Sequence, residues 1–186
     1  MSSALVCRSF PPACAADARV LVLGSMPGEA SLAAAQYYAH PRNAFWPIMG
    51  ALFGAGPELT YAQRLERLAS AGVALWDVIG RCERAGSLDS AIAPASIEAN
   101  DFAGLFAACP GIAHVFFNGT AAETAFRRHV RGRIALPPLH FARLPSTSPA
   151  HAARGLSAKL AAWQAVKAAA QRTAAARIDT PAAQAA

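Results

Sequence analysis

Hydrophobic residues along the chain form two kinds of run, which alternate. Short and almost wholly apolar runs occur at 19–24 and at 73–79, and two more follow at 113–117 and near 140–144. Runs of this length and composition are typical of strands buried in a parallel sheet. The pattern predicts four strands, and we expect the strand at 19–24 to be a central one.

Runs with helical spacing lie between these strands. From Asn43 onward, apolar residues recur every three or four positions until Gly54 closes the run. Further helices are predicted at 60–72, at 96–108, at 120–129 and from Leu156. Those that begin at Thr60 and Thr120 open with the sequence of a capping box. The alternation predicts an α/β fold with helices on both faces of a parallel sheet.

The length of 186 residues suits one α/β domain, which we place at residues 1–172. Residues 1–17 are expected to form an extended lead-in, and 80–94 a loop. After Arg172 the chain is rich in alanine and has no apolar stripe. We therefore expect residues 173–186 to form a flexible tail.

Three loops with polar residues directly follow predicted strands. They are Gly24–Gly28, Asn118–Gly119 and Pro145–His151. Ligands of parallel sheets bind beyond the carboxyl ends of the strands, so we expect these loops to line one crevice. The first loop has neither the GK[ST] ending of a P-loop nor the GxGxxG pattern of dinucleotide sites. No cofactor is therefore expected.

The segment 36–46 mixes aromatic and polar residues. Aromatic clusters are usually plain core, and Asn43 alone would more often be a helix N-cap. Here, however, Tyr38 and Phe45 alternate with His40, Arg42 and Asn43. Flat rings for stacking and polar groups for a base edge are what a nucleobase pocket needs.

The loop that ends at His151 contains serine, threonine and proline. Hydroxyl and backbone N–H groups of such a loop can bind a phosphate, and a neighbouring histidine can donate to a developing anion. Histidines are more often structural, but the position of His151 in this loop favours a functional role. Glu29 is a minor candidate for a general base, since a carboxylate in the first turn of a helix is stabilised by the helix dipole anyway.

The charge of the chain suits a polyanionic partner. There are 17 basic and 11 acidic residues, which gives a formal charge of +6, and only Lys159 and Lys167 are lysines. Arginine binds phosphate groups bidentately, so this composition mildly favours nucleic acid as the partner. No membrane partner is expected, because no run of about 18 apolar residues occurs. We expect a cytoplasmic protein.

The four cysteines, at 7, 14, 82 and 109, are widely spaced and form no CxxC pair. Zinc ribbons and compact metal clusters need closer ligand spacing. We therefore expect reduced, mostly buried thiols and no metal.

Taken together, these segments resemble the uracil-DNA glycosylase superfamily, and specifically its hypoxanthine-DNA (deoxyinosine) glycosylase branch. The resemblance rests on 24–28, 36–46, 86–90, 116–119 and 144–151, which occur in this order along the chain. It implies a three-layer α/β/α sandwich with a central four-stranded parallel sheet. It also implies a monofunctional enzyme that flips a deaminated base, here hypoxanthine, out of DNA and hydrolyses its N-glycosidic bond. We expect this enzyme to act as a monomer.

The resemblance also implies roles for individual residues. Met26 stands where mismatch-specific relatives carry the asparagine that positions the attacking water, and Asn43 is the replacement proposed for this branch. Phe45 matches the aromatic residue that stacks on the flipped base. The predicted catalytic residues are Asn43, His151 and Asn118. The predicted substrate-binding residues are Gly24, Ser25, Met26, Pro27, Gly28, Tyr38, Phe45 and Asn118. The predicted DNA-binding residues are Ser146, Thr147, Ser148, Pro149 and Arg42.

The residues also bear on the type of chemistry. A glycosylase that is also a lyase needs an amine to form a Schiff base, and both lysines lie in the last predicted helix, away from the three loops. Simple hydrolysis fits better. Two alternatives stay open: a uracil- or mismatch-specific glycosylase, and a nucleic-acid-binding module that has lost activity, as the methionine at position 26 suggests.

Overall fold

The computed structural model describes residues 5–178 of the chain. Its strands are β1 (Leu5–Arg8), β2 (Val20–Gly24), β3 (Val73–Asp77), β4 (Ile79–Arg84), β5 (Glu98–Ala99), β6 (His114–Asn118) and β7 (His140–Leu144). Its helices are α1 (Glu29–Ala34), α2 (Phe45–Phe53), α3 (Tyr61–Ser70), α4 (Phe102–Ala108), α5 (Thr120–His129) and α6 (Leu156–Ile178).

The central sheet has four parallel strands in the order β3-β2-β6-β7. All five residues of β2 are buried, as an apolar strand in the middle of a covered sheet should be. Helices flank the sheet, which confirms the predicted α/β fold with a four-stranded parallel sheet. The carboxyl ends of all four strands lie at one edge, where the site is found.

Aromatic residues fill the space between the helices and the sheet. Phe45 of α2 packs edge-on against Trp163 of α6, and Phe102 of α4 packs edge-on against Phe126 of α5. Each of these four side chains is no more than 1% exposed. Burial of rings this large is a major source of stability, so the helices that carry the site are firmly held.

Several predicted elements differ from the structure near residue 80. The strand predicted at 73–79 ends at Asp77, and the segment 80–94 predicted as a loop contains most of β4, which pairs with β1 and β5 in a second, antiparallel sheet. The buried residues of β4 include Cys82 and Arg84 among polar neighbours, so the strand has no apolar alternation. The prediction of a loop there was wrong.

One predicted helix start and one predicted capping box are also wrong. The helix predicted from Ser96 begins at Phe102, because Asp101 caps it by accepting a hydrogen bond from the Gly104 N–H group at 2.9 Å. The helix α5 has the predicted bounds, but its N-cap is Gly119, with φ of +92°, and no side chain caps it. The capping box at Thr60 is present as predicted.

The last helix is longer than its sequence indicates. It continues through Ile178 instead of ending near Arg172. Residues 179–186 of the predicted tail lie outside the described residues.

The cysteines fall into two pairs. Cys14 and Cys109 form a disulfide across 95 residues, with Cα atoms 7.6 Å apart, a wider separation than most disulfides have. Cys7 and Cys82 are buried free thiols, which face each other across the β1–β4 pairing. The expectation of reduced thiols is therefore wrong for the first pair.

Candidate active site

A cavity of about 430 Å³ opens at the carboxyl ends of the parallel strands. Residues that follow each of the four strands line it: the loop 24–28 after β2, Asp77 at the end of β3, Asn118 at the end of β6, and 146–149 after β7. Tyr38 and Asn43 close it from the segment before α2. The three loops predicted to converge do so.

Asn118 is held in one orientation by the loop after β7. Its Nδ2 atom donates to Thr147 Oγ1 at 2.9 Å, and its Oδ1 atom accepts from the Thr147 N–H group at 2.9 Å. Because the backbone N–H group can only donate, the positions of the amide oxygen and nitrogen are fixed. One oxygen lone pair of Asn118 remains for a ligand, and its second amide hydrogen interacts with the Tyr38 hydroxyl group.

Asn43 stands at the start of α2, on the wall of the cavity. Its Oδ1 atom accepts a hydrogen bond from the Phe45 N–H group at 3.0 Å, a local bond typical of asparagine before a helix. The Ala44 N–H group in turn donates to the Thr147 carbonyl oxygen at 3.0 Å. Thr147 thus holds Asn118 directly through the Asn118 side chain, and it holds the segment that carries Asn43 through the neighbouring Ala44 N–H group.

Tyr38 and Phe45 form a stacked pair, with ring centroids 3.8 Å apart and an interplanar angle of 21°. Phe45 is fully buried and does not line the cavity, whereas Tyr38 does. In this structure the ring of Tyr38 therefore covers the face of Phe45 that was expected to stack on a base. Tyr38 also has a φ of +55°, a region that residues other than glycine rarely occupy and that clusters at functional sites.

Asp77 brings a carboxyl group into the cavity wall. It is 3% exposed, and its Oδ2 atom has no hydrogen-bond partner within the described part of the chain. Burial raises the pKa of the Asp77 carboxyl to about 8, with Asp89 adding to the rise and Arg84 opposing it. Gly24 lies against the other carboxyl oxygen, Oδ1, and against the Tyr38 hydroxyl, so a β-carbon at position 24 would overlap with Asp77.

The hydroxyl group of Tyr38 lies between two polar side chains. Burial and the nearby Asp77 raise the pKa of Tyr38, and hydrogen bonding by Asn118 opposes the rise. The tyrosine hydroxyl therefore stays protonated and able to donate. Tyr38, Asp77 and Asn118 together form the polar floor of the cavity.

The segment 86–90 packs on the first loop. Ser25 Oγ donates to Asp89 Oδ1 at 2.7 Å, and the Glu29 N–H group donates to Ser87 Oγ at 3.0 Å. Ser87 Oγ also lies 3.4 Å from Glu29 Oε2. Glu29 is exposed at the rim of the cavity. These bonds make 86–90 a side wall of the site.

Arg84 packs against the loop 24–28 and bonds to its backbone. It is 1% exposed and donates through Nη2 to the Pro27 carbonyl oxygen, while Nε and Nη1 have no hydrogen-bond partner among residues 5–178. A buried guanidinium that holds a loop carbonyl fixes the path of that loop.

His151 lies apart from Asn43. It is exposed, ends a short 3-10 turn (Pro149–His151), and lines two neighbouring cavities of about 630 and 390 Å³ instead of the cavity described above. Arg42 is exposed and lines none of the three cavities. The structure therefore does not bring these two residues together with Asn43, although His151 and Asn118 both line the cavity of about 630 Å³.

Basic residues line the two neighbouring cavities. They are Arg128 and His129 in the larger one, and Arg143, Arg154 and Lys159 in the smaller one. Lys159 was expected to lie away from the loops, but it is 5% exposed and lines the smaller cavity with Ser146. That expectation was wrong, although Lys159 does not line the cavity that holds Asn43.

Residues 5–178 contain no group of three or more histidine, cysteine, aspartate or glutamate side chains that could hold a metal ion. Within the same range, no helix is long and apolar enough to cross a membrane.

Sequence reasoning missed Asp77, Arg84 and the orienting role of Thr147. A signal for Asp77 was available, because it is the one charged residue in an otherwise apolar run that ends at the binding edge of the sheet. Arg84 was hidden in a segment without periodicity. The bond between Thr147 and Asn118 depends on the pairing of β6 with β7, which the sequence does not state.

The chain belongs to the uracil DNA glycosylase superfamily, whose family model matches residues 11–168. It is 37% identical over 113 residues to the hypoxanthine DNA glycosylase of Methanosarcina barkeri, a match that covers 60% of this chain and 70% of the relative. The hypoxanthine DNA glycosylase of Methanosarcina acetivorans is 35% identical over 119 residues, covering 63% and 74%. These comparisons confirm the resemblance inferred from the sequence.

A solved structure is also similar. It is the solution NMR structure of a Methanosarcina acetivorans protein provisionally described as a uracil DNA glycosylase. The TM-score is 0.74 at 31% identity, and the match covers 90% of this chain and 99% of the other. The arrangement of strands and helices is therefore that of the superfamily.

Proposed function

We propose that this protein is a monofunctional DNA glycosylase that flips hypoxanthine out of DNA and hydrolyses its N-glycosidic bond. The observation that carries the proposal is the cavity lined by both Asn43 and Asn118, in a chain that belongs to the uracil DNA glycosylase superfamily. Thr147 bonds the Asn118 side chain directly and bonds the backbone of Ala44, next to Asn43. Two curated relatives at 35% and 37% identity are named hypoxanthine DNA glycosylase.

The reaction passes through a sugar with oxocarbenium character while negative charge grows on the departing base. The enzyme must hold a water molecule near the sugar and donate hydrogen bonds to the base. Asn43 has an amide group at the cavity wall whose oxygen retains a lone pair, which can accept a hydrogen bond from that water and orient it. The oxygen of the oriented water then bonds to C1′ of the sugar as the C1′–N bond breaks. The base leaves with the electrons of that bond, and the proton lost by the water passes to solvent or to the departed base.

Asn118 is suited to recognise the base. Hypoxanthine presents an N–H donor next to a carbonyl acceptor, and the free oxygen lone pair of Asn118 can accept a hydrogen bond from that N–H group. Since Thr147 fixes the amide, the wrong arrangement of donor and acceptor on a base leaves polar groups unpaired. Tyr38 offers the ring on which the base can stack.

Hydrolysis without a lyase step follows from the position of the amines. No lysine side chain lines the cavity with Asn43, and the lysine nearest to the loops, Lys159, lines a neighbouring cavity. Ser146 and Ser148, together with arginines of the neighbouring cavities, can contact DNA phosphates, whereas Thr147 is buried against Asn118. A mispaired base costs less to flip, which adds selectivity.

The test is base release from end-labelled duplexes that each contain one hypoxanthine, uracil or xanthine. Abasic sites are then cut with alkali. We expect release of hypoxanthine with the highest kcat/KM. Release of uracil alone would show a uracil-specific enzyme, and no release from any duplex, despite DNA binding, would show a binding module.

A matched pair of variants tests the assignment of Asn43. Asn43→Ala should lower single-turnover base release by at least about 10²-fold, because it removes a group that acts on the attacking water. Its affinity for the duplex should change little. Arg42→Ala, at the neighbouring exposed position, serves as a comparison that should mainly weaken DNA binding. Equal rates for Asn43→Ala and the wild type would shift the role to Glu29 or His151.

A further inference from the structure

Asp77 is a buried acidic group that the chemistry above does not use. Its side chain is 3% exposed, lines the cavity with Asn43 and Asn118, and leaves Oδ2 without a hydrogen-bond partner in the described region. Its backbone carbonyl is occupied, since it accepts from Asn100 Nδ2 at 2.8 Å. The side chain is therefore the part of Asp77 that remains to be explained.

On the basis of the proposed function, we propose that Asp77 is a further catalytic residue, whose protonated carboxyl group donates a hydrogen bond to the base as it departs. The cavity position places the carboxyl where an extruded base would lie. A buried carboxyl oxygen without a partner, on a residue that lines a ligand cavity, is expected where a ligand completes the bonding.

The surroundings of Asp77 keep the carboxyl neutral. Neither of the two salt bridges in the described residues involves Asp77, and a buried carboxylate without an ion-pair partner is strongly disfavoured. Arg84 lowers the pKa of the carboxyl, but burial and Asp89 raise it by more. The charged and titratable groups that interact electrostatically with Asp77 are Arg84 on β4, Asp89 after β4, Tyr37 and Tyr38 before α2, and Tyr61 on α3.

A neutral carboxyl is useful for this reaction. The base leaves with negative charge, and an O–H donor in a water-poor pocket stabilises that charge without bringing a charge of its own. An ionised carboxylate at the same place would repel the departing base. Asp77 would thus act together with Asn118, the first by donating to the developing anion and the second by recognising the base.

The experiment measures single-turnover release of hypoxanthine from duplex DNA as a function of pH. The proteins are the wild type, Asp77→Asn, Asp77→Ala and, as a control, Asp17→Asn, which changes an exposed aspartate outside the cavities. Wild-type activity should fall as pH rises through about 8, where Asp77 ionises. Asp77→Asn keeps a donor that does not titrate, so it should retain activity within about tenfold and lose this alkaline fall.

Asp77→Ala should lose about 10² to 10³ in rate, because it removes the donor. Asp17→Asn should keep the wild-type rate and profile. A merely structural role would lower all rates of both Asp77 variants without removing the alkaline fall, and that result would overturn the proposal. An Asp77→Ala rate equal to that of Asp17→Asn would overturn it too.

Two outcomes separate this inference from the proposed function. A wild-type protein that releases no base overturns the proposed function, whereas an active wild type with the results just named overturns only the role of Asp77. If either variant fails to fold, carbon-13 NMR titration of the wild-type carboxyl decides. A midpoint near the ordinary aspartate value of 3.8 in place of about 8 would overturn the proposal.

Discussion

The burial of Asp77 predicts an unusual dependence of stability on pH. The pKa of its carboxyl rises from 3.8 to about 8 on folding, because burial disfavours the charged form. A raised pKa means that the folded state binds the proton more tightly than the unfolded chain. Its contribution to stability is therefore fully present below about pH 4 and is lost as pH rises through about 8.

The size of the effect follows from the same linkage. Between about pH 5 and about pH 8 the unfolded chain releases the proton while the folded protein retains it, at about 1.4 kcal/mol for each pH unit. The wild type should thus lose roughly 4 kcal/mol of unfolding free energy over this interval from Asp77 alone. Asp77→Asn has no proton to retain, so it lacks this loss.

Urea unfolding of the wild type and Asp77→Asn at a series of pH values measures the difference. The amide adds a roughly constant penalty of about 1–3 kcal/mol if its N–H₂ group is unpaired, so the slope is the informative quantity. The unfolding free energy of Asp77→Asn, relative to that of the wild type, should increase steadily from about pH 5 to about pH 8. Asp17→Asn, at an exposed position, should show no such trend.

A difference between the two proteins that does not change from about pH 5 to about pH 8 would refute the reasoning. If Arg84 held Asp77 ionised in the folded protein, the pKa of Asp77 would be depressed, and both states would already be ionised throughout this interval. Asp77→Asn would then become relatively less stable with rising pH only below about pH 4.

Three other substitutions test the site. Thr147→Val removes the Oγ1 partner of Asn118, and it should lower the unfolding free energy by about 1 kcal/mol and base release by about tenfold, measured by urea unfolding and single-turnover assay. Gly24→Ala places a methyl group against the Asp77 carboxyl, so thermal unfolding should show a loss of about 1–3 kcal/mol; unchanged stability would contradict the close approach. Phe45→Ala should destabilise the protein by about 3–5 kcal/mol, whereas Tyr38→Ala should chiefly weaken duplex binding.

The parts of the fold that the sequence predicted are those fixed by local pattern. The strand β2 is a continuous apolar run with its five residues buried, and the helix α2 carries apolar residues at regular spacing between Asn43 and Gly54. The strand β4 was missed because a buried cysteine and a buried arginine occupy positions where the pattern requires apolar residues. Local periodicity contains no information about partners that make such burial possible.

The candidate site shows the same difference between features set by local pattern and features set by tertiary contacts. Its location was predictable, because parallel strands bring their carboxyl ends to one edge and the polar loops could be recognised by type. The contacts between residues within the site were not predictable from the sequence. Whether Phe45 or Tyr38 faces the cavity depends on a left-handed backbone conformation at Tyr38, and the partner of Asn118 depends on the register of β6 and β7.

The register of the sheet also explains why glycine and aspartate occur together at this edge. Gly24 and Asp77 are register partners in the β2–β3 pairing, the last pair before both strands end. The carboxyl oxygen of Asp77 occupies the space that a side chain at position 24 would need. A carboxyl group at the end of β3 can therefore be buried in the cavity wall only if the end of β2 lacks a side chain. The glycine at the start of the first loop is thus needed to accommodate the buried acid, in addition to any role in the turn itself.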